Sequence, residues 1–157
     1  MSNENIGNER YLGFSLGDEE FGIPLHSVRE VIAMPETTPI PQSPKYFLGI
    51  MNLRGQVISV VDLRQKLGII PKKTAETAVV ICDIGSISLG MVVDSVNQVL
   101  APPKEGISDK PEIENSKASQ YITGVFRQDK KLILFLDIAK CLDLSDHLMI
   151  QNQKKAA

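Results

Sequence analysis

The chain repeats itself, and this duplication constrains its fold more than any other feature. Residues 17–32 (GDEEFGIPLHSVREVI) align without a gap on residues 85–100 (GSISLGMVVDSVNQVL), at an offset of 68 positions. Residues 46–67 align on residues 121–142 at an offset of 75, with Tyr, Gly, Ile, Asp and Leu matched. Self-similarity of this kind indicates two copies of one structural unit. The seven extra residues of the second copy fall within residues 101–120, a proline-rich and charged stretch that is typical of an exposed loop.

Each unit predicts about five short strands. The 17 Ile and 12 Val against 8 Ala favour pleated sheets over helices. In both units an apolar run precedes a glycine, Gly17 or Gly85, and a second apolar run follows it as the expected hairpin partner. Five strands are enough to curl into a small barrel without exposed edges. The sequence therefore predicts an all-β fold of two small five-stranded barrels packed together.

The two predicted units cover residues 11–68 and 79–143, joined by a polar linker. Units of about 60 residues are marginal alone, so we expect the barrels to share a core. Strands can exchange between the barrels, a point that one sequence does not decide. Residues 1–10 and 151–157 are polar and are predicted to be flexible tails.

Charge and composition exclude several classes of function. The formal net charge is -2, the chain has no Trp, and aromatic residues make up 5%. Nucleic-acid-binding proteins need a basic face and stacking rings, so no nucleic-acid partner is predicted. No apolar run reaches the roughly 20 residues that span a bilayer, which predicts a cytoplasmic protein without direct membrane insertion. Cys82 and Cys141 have no metal-ligand spacing and are interpreted as buried thiols, and no metal or cofactor is predicted.

Two patterns suggest catalysis, and each has a simpler explanation. Residues 13–17 (GFSLG) match the GxSxG pattern of a nucleophile elbow, which exposes a serine on a strand-to-helix turn. Here the motif leads into a predicted hairpin, so Ser15 is interpreted as a strand residue. A small serine hydrolase that uses Ser15 is the less favoured alternative. His26 and His147 have no acid or nucleophile at motif spacing and are interpreted as surface imidazoles.

Asp62 and Asp137 occupy equivalent positions between a predicted strand and a helical pattern. Paired carboxylates can act as acid and base, but an aspartate at such a junction more often caps the helix by accepting hydrogen bonds from its first N–H groups. Gly68 then ends the first of these helices. Residues 27–30 (SVRE) and 95–98 (SVNQ) fit the S-x-x-E/Q capping box, which predicts a helical start at both places.

The tetrad from Asn52 to Gly55 (NLRG) lies between two apolar runs and has no match in the second copy, where residues 126–129 read FRQD. A polar tetrad that ends in glycine predicts a turn. Arg54 is then either a solvated turn residue or a guanidinium that forms an ion pair or contacts a partner.

Residues 49–64 (GIMNLRGQVISVVDLR) resemble the CheW family of chemotaxis coupling proteins. The earlier run FGIPLHSVREVI, the prolines at 39, 41 and 44, and the run LGMVVDSVNQVL support the resemblance, which covers nearly the whole chain. Ser59 stands where the family often has a proline, a departure that concerns strand rigidity.

The resemblance implies two SH3-like barrels, no cofactor and no enzymatic activity. It also implies partners: the cytoplasmic helical hairpin of chemoreceptors and the regulatory domain of a histidine kinase, held together in membrane-associated arrays. The receptor-binding face carried onto this chain includes Val28, Glu30, Arg54, Gly55 and Val99, with an ion pair between Glu30 and Arg54. The resemblance assigns no residues of this chain to the kinase contact. The alternative within this class is a related scaffold domain that serves another receptor or signalling output.

Overall fold

The computed structural model describes residues 9–72, 74–108 and 120–141. The strands in these ranges are β1 (Tyr11–Leu16), β2 (Glu19–Pro24), β3 (Val28–Ala33), β4 (Phe47–Leu53), β5 (Gln56–Asp62), β6 (Ala78–Ile84), β7 (Ile87–Val93), β8 (Ser95–Leu100), β9 (Ile107–Ser108), β10 (Ile122–Gln128) and β11 (Lys131–Leu136). The helices are short: α1 (Leu63–Lys66), α2 (Ile138–Cys141) and the 3-10 turns Leu25–Ser27 and Lys104–Gly106. The predicted all-β class is confirmed. Apart from Glu9 and Arg10, the predicted tails lie outside the described residues, as do residues 109–119 of the predicted loop and His147.

The strands form two sheets of matching topology. Sheet I has the order β8-β1-β2-β11-β10-β9, and sheet II has the order β3-β6-β7-β5-β4. Each sheet combines strands of both sequence units, because the hairpin β1-β2 joins strands of the second unit and the hairpin β6-β7 joins strands of the first. The parallel pair β2-β11 in sheet I corresponds to the parallel pair β7-β5 in sheet II. The duplication in the sequence is therefore expressed as two equivalent sheets that exchange hairpins.

Both sheets are curled. In sheet II the chain leaves β3 at one edge and reaches Thr38, which exchanges two backbone hydrogen bonds with Ile50 of β4 at the other edge. The chain from Ala33 to Thr38 spans at most about 17 Å. Five flat strands would hold their edges about 19 Å apart, so the sheet has to bend. In sheet I the chain passes in the same way from β8 to β9 at the opposite edge.

Four β-bulges supply this bending, since a bulge kinks its strand and increases the twist. The unpaired residues are Arg29 on β3 and Asn97 on β8, which are 68 positions apart, and Leu48 on β4 and Thr123 on β10, which are 75 apart. The curl of the two sheets is thus part of what was duplicated.

The largest hydrophobic core is shared between the sheets. It contains Phe14 and Ile23 of sheet I together with Val80 and Met91 of sheet II, all nearly inaccessible to solvent. Each sheet has one smaller cluster on the face opposite the shared core: Met51, Ile58, Val60, Val79, Ile81 and Val92 in sheet II, and Leu100, Ile133 and Phe135 in sheet I. Several strands are therefore buried on both faces, which explains their continuous apolar runs. The shared core predicted from the small size of the units is confirmed.

Local chemistry at the helix starts is partly as predicted. The Asp62 carboxylate accepts from the Arg64 N–H at 3.0 Å, and the Asp137 carboxylate accepts from the Lys140 N–H at 3.2 Å, so both aspartates are caps. Gly68 follows α1 with a φ of 78°, as expected of a helix C-terminus. The two predicted capping boxes are wrong, because residues 28–33 and 95–100 are strands. Their β-branched residues and their pairing with β6 and β1 outweigh the local capping pattern.

Cys82 on β6 and Cys141 on α2 are buried free thiols. Burial raises the pKa of each thiol to about 12, with a smaller contribution from Asp83 at Cys82 and from Asp137 at Cys141. Both side chains are protonated at neutral pH and serve as packing residues, which confirms their interpretation as buried thiols.

Candidate interaction surface

The turn between β4 and β5 has an unusual residue in its first central position. Arg54 and Gly55 connect the paired residues Leu53 and Gln56, and their φ angles are 51° and 86°. The Asn52 side-chain oxygen accepts from the Gly55 N–H at 2.8 Å. Two positive φ angles are typical of a type I′ turn, which favours Asn, Asp or Gly. A side chain in the left-handed region costs on the order of 1 kcal/mol, so turn chemistry alone does not explain an arginine here.

The Arg54 guanidinium pairs with Glu30, as the resemblance implied. Arg54 Nη2 donates to Glu30 Oε1. Glu30 lies on β3 and Arg54 at the end of β4, the two opposite edges of sheet II, so this ion pair spans the open side of the curled sheet. The Arg54 side chain is 68% exposed, and exposed pairs contribute at most about 1 kcal/mol to stability. The pair therefore matters chiefly as a fixed arrangement of charge on the surface.

A second surface network surrounds Arg29, the bulged residue beside Glu30. The Arg29 Nε donates to Asp83 Oδ2 at 3.1 Å, its Nη1 to Gln56 Oε1 at 2.8 Å, and its Nη2 to Ser88 Oγ at 2.7 Å. These partners lie on β6, β5 and β7, so one guanidinium connects four strands of sheet II. The sequence did not predict this network, because a bulge and its strand partners are visible only once the pairing is known.

The structure places four of the five predicted receptor-side residues on sheet II. Val28 and Glu30 lie on β3, with Val28 packed partly against the shared core, and Arg54 and Gly55 form the turn described above. Val99 lies on β8 at the edge of sheet I, opposite Leu12 of β1, and is 54% exposed. The role of these residues as receptor contacts stays a prediction.

Exposed apolar side chains occur on both edge strands. Val31 is the repeat counterpart of Val99, 68 positions earlier, and is 41% exposed on β3. Met34 follows the end of β3 and is also exposed. The charged pair of sheet II therefore has apolar side chains on the same edge strand, a combination that suits a contact with an amphipathic helix.

A buried ion network lies where α1 meets the junction between β7 and β8. The Arg64 Nε and Nη2 donate to the two oxygens of Asp62 at 2.9 and 3.0 Å, and its Nη1 donates to Asp94 Oδ1 at 2.8 Å and to the Lys72 carbonyl at 2.6 Å. The other Asp94 oxygen accepts from the Gly17 N–H at 2.6 Å. We call Arg64, Asp62, Asp94 and Gly17 the Arg64 network; it fastens a turn of sheet I to a helix of sheet II.

The pKa of Arg64 lies above its ordinary value, so the guanidinium stays charged. Burial opposes the charged guanidinium, but the hydrogen bonds with Asp62 and Asp94 outweigh it and raise the pKa of Arg64. From the sequence, this segment is predicted only to be a capped helix. Its signal was faint, because Asp94 lies 30 residues from Arg64 in the chain and an arginine in a first helical turn is ordinarily solvated.

The residues that match catalytic patterns in the sequence have structural surroundings. Ser15 lies on β1, where its Oγ accepts from Asn97 Nδ2 at 2.8 Å. The strand continues through a hairpin into β2, so the strand-to-helix turn of a nucleophile elbow is missing. The His26 side chain is 73% exposed, and its Nε2 lies 3.2 Å from Glu9 Oε1.

In the described ranges no group of three or more His, Cys, Asp or Glu residues is arranged to hold a metal ion. The described helices include none with the length and hydrophobicity to cross a membrane.

Two equivalent curled sheets joined by one core define the class: a duplicated all-β domain that carries the Glu30–Arg54 pair and the Arg29 network on its surface and the Arg64 network in its interior. The CheW-like domain model matches residues 10–146, and the chain belongs to this family. Members of the family are scaffold and adaptor proteins of chemotaxis.

Three relatives illustrate the similarity. A probable chemotaxis protein CheW of Rhizobium etli is 33% identical over 135 residues, which cover 85% of this chain and 87% of that protein. The chemotaxis protein CheW of Klebsiella aerogenes is 32% identical over 157 residues, covering 99% of this chain and 94% of the other. The crystal structure of the scaffolding protein TtCheW from Thermoanaerobacter tengcongensis superposes with a TM-score of 0.79 at 28% identity, over 88% of this chain and 95% of that one.

Proposed function

We propose that this chain is a non-enzymatic coupling adaptor in the cytoplasm that joins the helical tip of chemoreceptors to the regulatory domain of a histidine kinase. Its recruitment to membrane-associated arrays follows from these two attachments. Family membership supports the general role in chemotaxis, and the surface of sheet II supports the receptor contact.

The observation that carries the proposal is the Glu30–Arg54 ion pair. The backbone at Arg54 favours Asn, Asp or Gly, yet an arginine occupies the position and reaches across the open side of sheet II. A guanidinium paired on one side keeps donors for a second partner, because it has five N–H groups. The pair is thus suited to fix the register of a bound helix.

The apolar part of the proposed receptor site comes from the edge strands. Val28 and the exposed Val31 lie on β3, and Val99 lies on β8 of the other sheet. An amphipathic helix buries its apolar stripe against such side chains while its polar flank meets the charged groups. In this proposal Val28, Glu30, Arg54 and Gly55 form the main receptor face, and Val99 adds to it from sheet I.

The signal is transmitted mechanically. Strands buried on both faces and a core shared by both sheets make a close-packed body that does not deform continuously. A receptor attached at one surface can therefore change the position of a kinase attached at another. Each contact is individually modest, and the many copies in an array supply avidity.

The receptor contact is tested by Arg54→Asp. Aspartate accepts the left-handed backbone readily, so the turn is kept while the charge is reversed next to Glu30. We expect capture by an immobilised receptor hairpin fragment to fall at least about tenfold, with an unchanged circular dichroism spectrum and urea midpoint within about 0.5 M.

A matched control is Lys131→Asp. Lys131 forms an ion pair of similar exposure with Glu20, but on sheet I. This variant should bind the receptor fragment as well as the unmodified chain does. Equal loss in both variants, or full binding by Arg54→Asp, would remove Arg54 from the receptor face.

The kinase contact is tested by co-purification. The chain should be retained by a full-length histidine kinase and lost when the kinase lacks its regulatory domain. Retention by the truncated kinase would contradict the assigned partner.

The serine hydrolase alternative is tested with a fluorophosphonate probe. A serine hydrolase would be labelled at Ser15. We expect no adduct, because Ser15 is a strand residue whose hydroxyl is hydrogen-bonded to Asn97.

A further inference from the structure

The repeat assigns a counterpart to every member of the Arg64 network, and the counterparts differ. At the two offsets, Asp62 corresponds to Asp137 and Gly17 to Gly85, so the acceptor and the hairpin turn are kept. Arg64 corresponds to Ala139, and Asp94 corresponds to His26. The second site thus retains the carboxylate that binds a guanidinium in the first site, but not the arginine.

A cleft lies at this second site. Its volume is about 430 Å³, and its lining is made of the junction between β2 and β3, the turn between β6 and β7, and the start of α2. We call it the Asp137 cleft; its lining includes His26, Gly85, Thr123, Asp137, Ile138 and Ala139. Four of the lining residues, His26, Gly85, Asp137 and Ala139, are the repeat counterparts of the Arg64 network, so the cleft lies where an arginine is placed in the other half.

The acceptor in the cleft has unused capacity. Among the described residues, the Lys140 N–H is the donor to the Asp137 carboxylate, at 3.2 Å on Oδ1. Asp62 makes the same kind of capping bond and in addition binds a guanidinium through both oxygens. Asp137 is only half-buried and Ala139 is exposed, so a side chain can approach it from solvent.

The walls of the cleft suit the stem of an arginine. Ile84, Leu136 and Ile138 provide apolar surface near the carboxylate, and the methylene groups of a long cationic side chain pack on such surface while the charged head reaches the acceptor. The Asp83 carboxylate adds negative charge at the rim, although its oxygens are bonded to Arg29 and Ser88.

We propose that the Asp137 cleft binds an arginine side chain of a partner protein, with the Asp137 carboxylate as its bidentate acceptor. The occupant is an arginine because the planar fork of the guanidinium matches a carboxylate through two parallel bonds, as Arg64 does with Asp62. None of the five residues assigned to the receptor face lines the cleft. This binding site is therefore separate from the proposed receptor contact, and either can fail alone.

The first test uses a small probe. Nα-acetyl-arginine methylamide is titrated into the isotope-labelled chain, and amide shifts are followed by NMR. We expect saturable shifts at Gly85, Thr123 and Ala139 with a dissociation constant on the order of 10 mM, as befits one side chain. Asp137→Asn retains the helix cap, since asparagine caps as well as aspartate, and should weaken binding at least fivefold.

Two further probes identify the ligand. Nα-acetyl-lysine methylamide should bind more weakly, because an ammonium cannot form the two parallel bonds. The free guanidinium ion should also bind more weakly, because it lacks the stem. Equal binding of the lysine probe would make the cleft a general cation site, and equal binding of free guanidinium would point to a small metabolite. Either result, or unchanged arginine binding by Asp137→Asn, would overturn the proposal.

A second test fills the cleft from within. Ala139→Arg recreates the arrangement of the first half and should abolish binding of the arginine probe, whereas Ala139→Gln, of similar length but neutral, should leave it. We also expect Ala139→Arg to melt about 2 °C or more above Ala139→Gln, and the difference should vanish when Asp137→Asn is added. A lower melting temperature for Ala139→Arg, with undiminished binding of the probe, would show that the cleft does not hold a guanidinium.

Discussion

The two sheets close their open sides with different chemistry. In sheet II the Glu30–Arg54 ion pair connects β3 with the turn after β4. At the equivalent place in sheet I, Gln98 on β8 donates to Gln128 at the end of β10, at 3.0 Å. One sheet thus presents a charged bridge and the other a neutral one on the same backbone frame. The turn residue that corresponds to Arg54 is Asp129, whose φ of 55° suits its residue type.

The same contrast recurs where the sheets meet. The Arg64 network fills one junction with a buried arginine and two aspartates, whereas Ala139 leaves the other junction open as the Asp137 cleft. The duplication has kept features that shape the backbone: the bulges, the hairpin glycines Gly17 and Gly85, and the helix caps. It has varied the charged side chains that those features position.

The largest effect on stability is expected at Gly49 on β4, where the backbone of Thr38 leaves no room for a side chain. Its φ of 130° belongs to a region that only glycine adopts freely, and a Cβ there would lie 2.1 Å from the Thr38 carbonyl oxygen. We predict that Gly49→Ala lowers the free energy of unfolding by more than about 4 kcal/mol, measured by urea titration.

The counterpart Gly124 gives the matched control. Its φ is not in the left-handed region, and a Cβ would meet the Ile107 methyl at 2.8 Å and the Ser108 carbonyl at 3.2 Å. Its φ is ordinary and its closest contact is a side chain, whereas Gly49 meets backbone, so Gly124→Ala should cost only about 1 to 2 kcal/mol. Equal losses of unfolding free energy in the two variants would mean that the backbone contacts at Gly49 and Gly124 restrict a side chain to the same degree.

Arg64→Ala comes next, because it converts the filled junction into a copy of the open one. Removal of the guanidinium leaves Asp62 and Asp94 buried without their cation, a change that typically costs about 3 to 5 kcal/mol. Asp94 is slightly accessible to water, so we expect about 3 kcal/mol by urea unfolding. Arg64→Ala combined with Asp94→His imitates the second half more fully and should recover part of this loss. A cost below about 1 kcal/mol for Arg64→Ala would show that the network is not a structural fastening.

The elements that the sequence predicted correctly depend on chemistry within a few residues. The turns at Gly17 and Gly85, the caps at Asp62 and Asp137, and the end of α1 at Gly68 are all of this kind. The capping patterns that begin at Ser27 and Ser95 predict helices where the structure has the strands β3 and β8, because the pattern is local and the strand partners, β6 and β1, are distant in the chain. The repeat identified equivalent strands, but equivalence does not say which sheet a strand joins.

The candidate site was predictable only in part. The Glu30–Arg54 pair followed from the family resemblance, and the geometry confirms the pair itself. The Arg64 network is not predictable from the sequence, since its members come from three segments that are brought together only by the exchange of hairpins. The Asp137 cleft could not be inferred from sequence, because an unfilled space becomes visible only when the filled half provides the standard.

The smallest predicted effect separates the surface bridges of the two sheets by pH. Arg29 pairs with Asp83 on sheet II, while at the equivalent place on sheet I Asn97 donates to Ser15. Hydrogen bonds from Arg29 and then Ser88 lower the pKa of Asp83 below its ordinary value of 3.8. A lowered folded pKa means that the stabilisation is present above the unfolded pKa and is lost as the pH falls through the folded one. Asp83→Asn should therefore shift the urea midpoint at pH 7 by roughly 0.3 M or less, and this difference should shrink below about pH 4.

Ser15→Ala is the matched control on sheet I. It removes a neutral hydrogen bond, so its effect on the urea midpoint should be the same at both pH values. If the effect of Asp83→Asn is also the same at both pH values, the charge of Asp83 contributes nothing to the contrast between the sheets.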